Sequence, residues 1–102
     1  MSLKHRYRKS WPEGLPFYLD LNNETVFNNL KFSAKKNPQQ EAIIFYGNKI
    51  TYSELFLDVK KIAGFLKREL NLSKGDRVGI IMQNCPQFII TYYAILGINC
   101  VI

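Results

Sequence analysis

Few residues of this chain could do chemistry, and they are widely spaced. The two thiols, Cys85 and Cys100, lie in no Cys-x-x-Cys or Cys/His metal spacing and are too few for a disulfide framework. A catalytic thiol at Cys85 would need a base, and the one histidine, His5, lies in a basic N-terminal leader. We therefore predict that both cysteines are small buried hydrophobic residues, and the sequence favours the reducing cytoplasm.

Gly75, Asp76 and Arg77 form a second candidate, because an acidic and a basic side chain could neutralise charges of a ligand. The segment has too few glycines for a phosphate-binding loop of the P-loop or dinucleotide type. A turn that leads into a buried strand commonly uses Gly for its positive φ and an Asp–Arg pair for its own hydrogen bonds. A structural role is therefore favoured over ligand binding.

The remaining polar and aromatic candidates also have structural interpretations. Tyr92 and Tyr93 could stack on a planar ligand, but on an apolar helix they are predicted to be core residues. Asn84 and Glu54 are interpreted as helix caps. Because no carboxylate pair, His-centred dyad or metal-ligand cluster can be assembled, we predict no catalytic, cofactor-binding or metal-binding residue in this chain.

The charge of the 102-residue chain is unevenly distributed. Of 14 basic residues, Lys4, Arg6, Arg8 and Lys9 precede the first acidic one, and ten basic and eight acidic residues follow. We interpret this leader as a solvated arm, not as a nucleic-acid site, and leave peripheral contact with an anionic membrane open. The sequence contains no secretory signal and no stretch long enough to span a bilayer.

The elements that would position these residues follow from composition and periodicity. Residues 1–24 are predicted to be a basic leader and an extended arm, which could reach a neighbouring subunit in a homodimer and has apolar anchors at Trp11, Leu15, Phe17, Tyr18 and Leu19. Residues 25–102 are predicted to be an α/β unit that is incomplete at its C-terminus. Its first helix runs from a cap at Thr25 to Asn37-Pro38, and a β-hairpin with a tight turn at Gly47-Asn48 follows.

A capping box, Thr51 to Glu54, predicts the start of a second helix. Its apolar stripe consists of Leu55, Val59, Ile62, Ala63, Leu66 and Leu70. The run "RVGIIM" at 77–82 is predicted to be a strand covered on both faces.

The last helix is predicted to begin at a cap on Asn84 or Cys85, with Pro86 in its first turn. This helix is apolar on nearly its whole circumference, so it needs protein on most sides. "CVI" at 100–102 is predicted to begin the next parallel strand. Together these features indicate a piece of a larger protein.

Three segments carry a resemblance to a known family: "TYSEL" at 51–55, "KGDRVGIIMQNCPQF" at 74–88 and "YYAILGINCVI" at 92–102. In this order and spacing they resemble the N-terminal part of the AMP-forming acyl-CoA synthetases of the AMP-binding superfamily. "WPEGLP", "MQNCPQF" and Asn99 are most similar to the long-chain fatty-acid–CoA ligases. Gly97 departs from that branch, where a basic residue is commoner.

The resemblance implies an enzyme that joins a fatty acid to CoA through an acyl-adenylate, with ATP, Mg²⁺ and CoA as the parent enzyme's cofactors and substrates. It places none of the family's catalytic motifs in these residues, so the chain is expected to be an inactive scaffold whose partner is the remainder of the polypeptide. The expected location is the cytoplasm, as the cysteine usage indicates, and peripheral contact with the membrane is left open. The alternative is a free-standing binding module that docks a partner through the Trp11 arm and the 86–98 helix.

Overall fold

The computed structural model describes residues 8–16 and 23–102. After a turn of 3-10 helix at Arg8–Ser10, these residues form helices α1 (Val26–Lys36), α2 (Tyr52–Arg68) and α3 (Pro86–Gly97) and strands β1 (Glu41–Phe45) and β2 (Asn48–Thr51). The predicted α/β architecture of hairpin and helices is confirmed. The predicted anchors Phe17, Tyr18 and Leu19 lie outside the described residues, so that prediction stays open.

Helix α1 forms as predicted. The hydroxyl of Thr25 accepts a hydrogen bond from the backbone N–H of Asn28 at 3.1 Å, which satisfies one of the unpaired donors at the helix start. Its inner face buries Leu30 and Ala34, and the helix ends before Asn37.

The hairpin has the predicted antiparallel pairing, but its turn lies one residue earlier than predicted. Phe45 pairs with Asn48, which leaves Tyr46 and Gly47 as the two loop residues. Both have positive φ, 48° and 81°, as a primed two-residue turn requires. The prediction of Gly47-Asn48 was wrong because the strand register, rather than residue preference alone, sets the turn.

Helix α2 begins at the predicted cap, where the Thr51 hydroxyl accepts a hydrogen bond from the Glu54 N–H at 3.2 Å. Leu55, Val59 and Leu66 on its inner face are buried. Leu70 was predicted to continue this stripe, but it is 54% exposed because the helix ends at Arg68 and the chain turns away from the helical path.

The segment 77–82 does not form the predicted strand covered on both faces. Among the described residues it makes one parallel bridge, between Arg77 and Val101, and Ile81 is 99% exposed. A run of β-formers becomes a strand only beside a partner that supplies its hydrogen bonds, and Val101 pairs with one end of the run alone. The bridge does confirm that residues 100–102 run parallel to this segment.

Helix α3 begins at Pro86 with Cys85 as the N-cap residue, so of the two predicted alternatives Asn84 is not the cap. The core lies mainly between α2 and α3, where Val59 and Ile95 are completely buried. Burying such a side chain contributes about 1.5–3 kcal/mol. No helix of the described residues is long and apolar enough to cross a membrane.

Gly97, in the last turn of α3, allows a close approach of α1. A β-carbon at this position would lie 2.8 Å from Cε2 of Phe27, closer than real β-carbons approach other atoms. Phe27 in turn packs against Phe56 of α2, with 5.8 Å between ring centroids. The glycine therefore fixes how α1 docks on the other two helices.

Candidate functional site

The turn that contains Asp76 is held by its own hydrogen bonds. The Asp76 carboxylate accepts a bond from the Ser73 N–H at 2.7 Å, and Gly75, at a φ of 88°, donates its N–H to the Asn99 carbonyl at 2.9 Å. The Cys100 thiol lies 3.2 Å from the Ser73 carbonyl and donates to it. The Asp76 carboxylate is thus engaged in shaping the turn, which confirms the structural interpretation of this residue.

Arg77 differs from the prediction. The expected Asp–Arg pair does not form, since the Asp76 carboxylate binds the backbone of Ser73 and the Arg77 side chain is exposed. The backbone around Arg77 instead pairs with the chain end: Val78 N–H donates to Val101 C=O at 2.7 Å, and Val101 N–H donates to Asp76 C=O at 2.8 Å. These two bonds begin a parallel ladder at the amino end of segment 77–82.

The carboxyl end of the same segment leads to a cleft between β1 and the start of α3. Its volume is about 350 Å³ and its walls include Ile43, Phe45, Asn84, Cys85, Phe88 and Ile89. In parallel α/β sheets, ligands bind beyond the carboxyl ends of the strands, which makes this cleft a candidate ligand site. The lining is mostly apolar, and sequence reasoning missed the cleft because its two walls are about 40 residues apart in the chain.

Cys85 lies at the edge of this cleft and is half-buried, whereas Cys100 is buried as predicted. Both thiols are free. The Cys85 side chain makes no capping hydrogen bond to α3. Its one conceivable histidine partner, His5, lies outside the described residues, so that pairing stays untested.

The two tyrosines of α3 are in different environments. Tyr93 packs against the core, as predicted, but Tyr92 is 37% exposed. Phe88, Tyr92 and Tyr93 form a series of ring contacts, with centroids 6.2 Å and 5.8 Å apart. The core prediction was therefore wrong for Tyr92, because helical geometry turns adjacent residues to different sides of α3.

The sequence candidates do not converge on one site. Asp76 and Arg77 lie at the amino end of segment 77–82, Cys85 and Asn84 beyond its carboxyl end, and Glu54 at the start of α2. Within residues 8–16 and 23–102, no three His, Cys, Asp or Glu side chains are grouped as metal ligands. What the described residues offer is a scaffold, with an apolar cleft between β1 and the start of α3.

Comparison with known proteins identifies the family of this scaffold. Residues 30–102 match the family described as AMP-binding enzyme. The chain is 42% identical over 86 residues to a long-chain-fatty-acid–CoA ligase of Bacillus subtilis (strain 168), covering 84% of this chain and 15% of that protein. It is 40% identical over 81 residues to an acetyl-coenzyme A synthetase of Penicillium chrysogenum, covering 74% of this chain and 12% of that protein.

A solved structure shares the fold. The N-terminal subdomain of NpsA from Klebsiella oxytoca superposes with a TM-score of 0.73 at 31% identity, over 76% of this chain and 20% of that one. The chain thus spans 15% or less of the length of the two curated relatives named above. On the family match and the identity to the Bacillus ligase, the chain belongs to the AMP-binding enzyme family.

Proposed function

We propose that this chain is the N-terminal scaffold of a fatty-acid–CoA ligase and is inactive by itself. The observation that carries the proposal is the 42% identity to the Bacillus long-chain-fatty-acid–CoA ligase, which extends over 84% of the chain. The resemblance of "WPEGLP", "MQNCPQF" and Asn99 to the long-chain branch supports the same substrate class.

The proposed reaction has two steps. The fatty-acid carboxylate attacks the α-phosphorus of ATP and displaces pyrophosphate, which leaves an acyl-adenylate. The CoA thiol then attacks the acyl carbon and displaces AMP, and the thiol proton is released. Mg²⁺ would supply electrostatic stabilisation of the negative charge on the nucleotide phosphates. We assign it no ligand here, because the described residues group no three acidic, His or Cys side chains.

The proposed contribution of this chain is structural. Helices α2 and α3 form the core, and the Arg77–Val101 bridge begins a parallel ladder that further strands could extend. An edge of this kind suits a scaffold on which a larger sheet is built. Nucleotide, fatty acid and CoA would be bound by parts of the polypeptide outside the described residues.

The first test uses the complete polypeptide encoded by the gene that carries this sequence. We expect ATP–pyrophosphate exchange that depends on a long-chain fatty acid, with palmitate more effective than acetate or benzoate. The 102-residue chain alone should give no exchange. Exchange with acetate and not with palmitate would contradict the substrate class, and a gene product without any exchange would favour the binding-module alternative.

A segment exchange tests the scaffold role separately. The 86 aligned residues of the Bacillus ligase are replaced by those of this chain, and acyl-CoA formation is measured. We expect the chimera to retain activity because the replaced segment carries structure and no catalytic group. The matched control places Asp at Val59, which is completely buried, and should abolish activity. If the chimera without the Val59 substitution folds but is inactive, the proposal is contradicted.

A further inference from the structure

The apolar cleft of about 350 Å³ runs along one edge of β1. Its lining includes three consecutive residues of that strand, Ile43, Ile44 and Phe45. Consecutive side chains of a strand point to opposite faces, so a space that touches all three lies beside the backbone, at the edge of the strand. The opposite wall is the start of α3, and none of the described residues that line the cleft belongs to β2. The cleft therefore lies on the side of β1 that faces away from β2.

The backbone groups of Ile44 point toward this cleft. Phe45 pairs with Asn48 across the two-residue loop, and the pair that closes such a loop is hydrogen-bonded. Bonded and non-bonded pairs alternate along an antiparallel ladder, so Ile44 and Lys49 form a non-bonded pair. The N–H and C=O of Ile44 are therefore directed away from β2. The hydrogen bonds between described residues give these two groups no other backbone partner.

The two edges of the hairpin differ in how they discourage further pairing. Strand β2 carries the exposed Lys49, whose ammonium lies 3.1 Å from the Glu41 carboxylate. Residues 42–45 of β1 include no charged residue and no proline, and Ile44 is 65% exposed. Lysine and proline are the residues that commonly protect an edge strand from pairing with another strand. The edge without such protection is the one that borders the apolar cleft.

We propose that an extended segment of the same polypeptide, from outside residues 1–102, pairs with β1 at this edge and fills the cleft with apolar side chains. The segment donates to the C=O of Ile44, accepts its N–H, and covers Phe45 and Phe88. The chain spans 15% of the length of the Bacillus relative, so most of a polypeptide of that length is available to supply the segment. The inference rests on the proposed scaffold role. It adds a second place, separate from the Arg77–Val101 bridge, at which the scaffold receives a strand.

The test is hydrogen exchange of the complete polypeptide, resolved to single residues by mass spectrometry, at a concentration where sedimentation velocity shows a monomer. The matched control is the N–H of Lys49, which points to the opposite edge of the hairpin. After correction for intrinsic rates, the Ile44 N–H should exchange on the order of 100-fold more slowly than the Lys49 N–H. Rapid exchange at Ile44, or equal protection of both, would overturn the proposal. So would protection confined to a dimer, which assigns the edge to a second copy, or its loss on deletion of residues 1–24, which assigns it to the N-terminal arm.

A pair of proline substitutions tests the same edge by stability. Ile44→Pro removes the N–H at the cleft, whereas Lys49→Pro removes the equivalent N–H at the other edge. The melting temperature of the complete polypeptide should fall more for Ile44→Pro than for Lys49→Pro, and more than for Ile44→Ala, which keeps the N–H. Equal losses for the two prolines would contradict the inference.

Palmitate-dependent ATP–pyrophosphate exchange, measured on the same wild-type sample, separates this inference from the proposed function. An active polypeptide with a rapidly exchanging Ile44 N–H contradicts this inference alone. An inactive polypeptide in which that N–H is protected contradicts the proposed function alone.

Discussion

Helices α2 and α3 pack against each other but present very different surfaces to their surroundings. Helix α2 buries Leu55, Val59 and Leu66 and carries its lysines on the exposed side. Helix α3 contains no charged residue at all, and only Ala94 and Ile95 are buried. The outer side of α2 combines charged residues with the half-exposed Leu57 and Phe65, whereas the outer side of α3 is partly covered and carries no charge, so it gains from further protein contact.

The same contrast extends to the helix starts. The first turn of α2 is capped by the Thr51 hydroxyl, but the side chain of Cys85 makes no capping bond to α3. A capped amphipathic helix is specified by its own sequence, while α3 depends on its packing. Helix α2 is therefore specified mainly by its local sequence, and helix α3 mainly by its tertiary contacts.

The largest effect is expected where the two helices meet. Val59→Asp would place an unpaired carboxylate in a fully buried position and should lower the free energy of unfolding by more than about 4 kcal/mol. Urea denaturation followed by circular dichroism measures this. Lys67→Ala, on the exposed side of the same helix, should change the value by less than about 0.5 kcal/mol. Similar losses for both variants would contradict the assigned core.

A substitution at Gly97 tests the docking of α1 on α3. Gly97→Lys introduces a β-carbon that would lie 2.8 Å from the Phe27 ring and should cost about 1–3 kcal/mol in the same denaturation experiment. In a Phe27→Ala background the cost should fall, because the clashing ring is gone. Additive effects of the two changes would show that position 97 and the Phe27 ring are not in contact.

The two caps give a smaller and directly comparable effect. Thr51→Ala removes the hydroxyl that accepts the Glu54 N–H and should cost about 1 kcal/mol. Thr51→Ser should retain most of the stability. Cys85→Ser supplies a hydroxyl where no side-chain cap exists and should cause no loss, or a gain of up to about 1 kcal/mol. A loss at Cys85→Ser equal to that at Thr51→Ala would remove the distinction between the helix starts.

The smallest effect is expected at Ile81, which is 99% exposed. In the 102-residue chain, Ile81→Lys should change stability by less than about 0.5 kcal/mol and reduce self-association in sedimentation velocity, since it interrupts exposed apolar surface. In the complete polypeptide the same change should be strongly destabilising if a further strand covers this residue, as the proposed function requires. If Ile81→Lys changes the stability of neither the 102-residue chain nor the complete polypeptide, that proposal is contradicted.

Local features of the fold could be predicted from the sequence because they depend on neighbouring residues. Thr25 and Thr51 as caps, Pro86 in a first turn and the inner face at Leu55, Val59 and Leu66 all follow from spacings of three or four residues. The hairpin followed from its β-formers, although its turn is Tyr46-Gly47. That offset reflects pairing across strands, which composition does not encode.

The candidate site shows the same division. The self-bonded turn at Asp76 was predictable because its hydrogen bonds lie within a few residues. The cleft between β1 and α3 was not, since it exists only when the hairpin lies against the start of the last helix. In the sequence, Gly97 stood out only as a departure from the long-chain fatty-acid–CoA ligases. Its structural reason, the close approach of the Phe27 ring, depends on the tertiary packing of α1 against α3.

The order of the three helices and the hairpin, and the family resemblance, could thus be read from the sequence. Tertiary structure decided which apolar residues are covered. Exposure of Ile81 and Leu70 and burial of Ile95 depend on which surfaces come together, and not on side-chain type. The physical reason is that hydrophobic burial is non-directional, so an apolar residue specifies a tendency to be covered but not the partner that covers it.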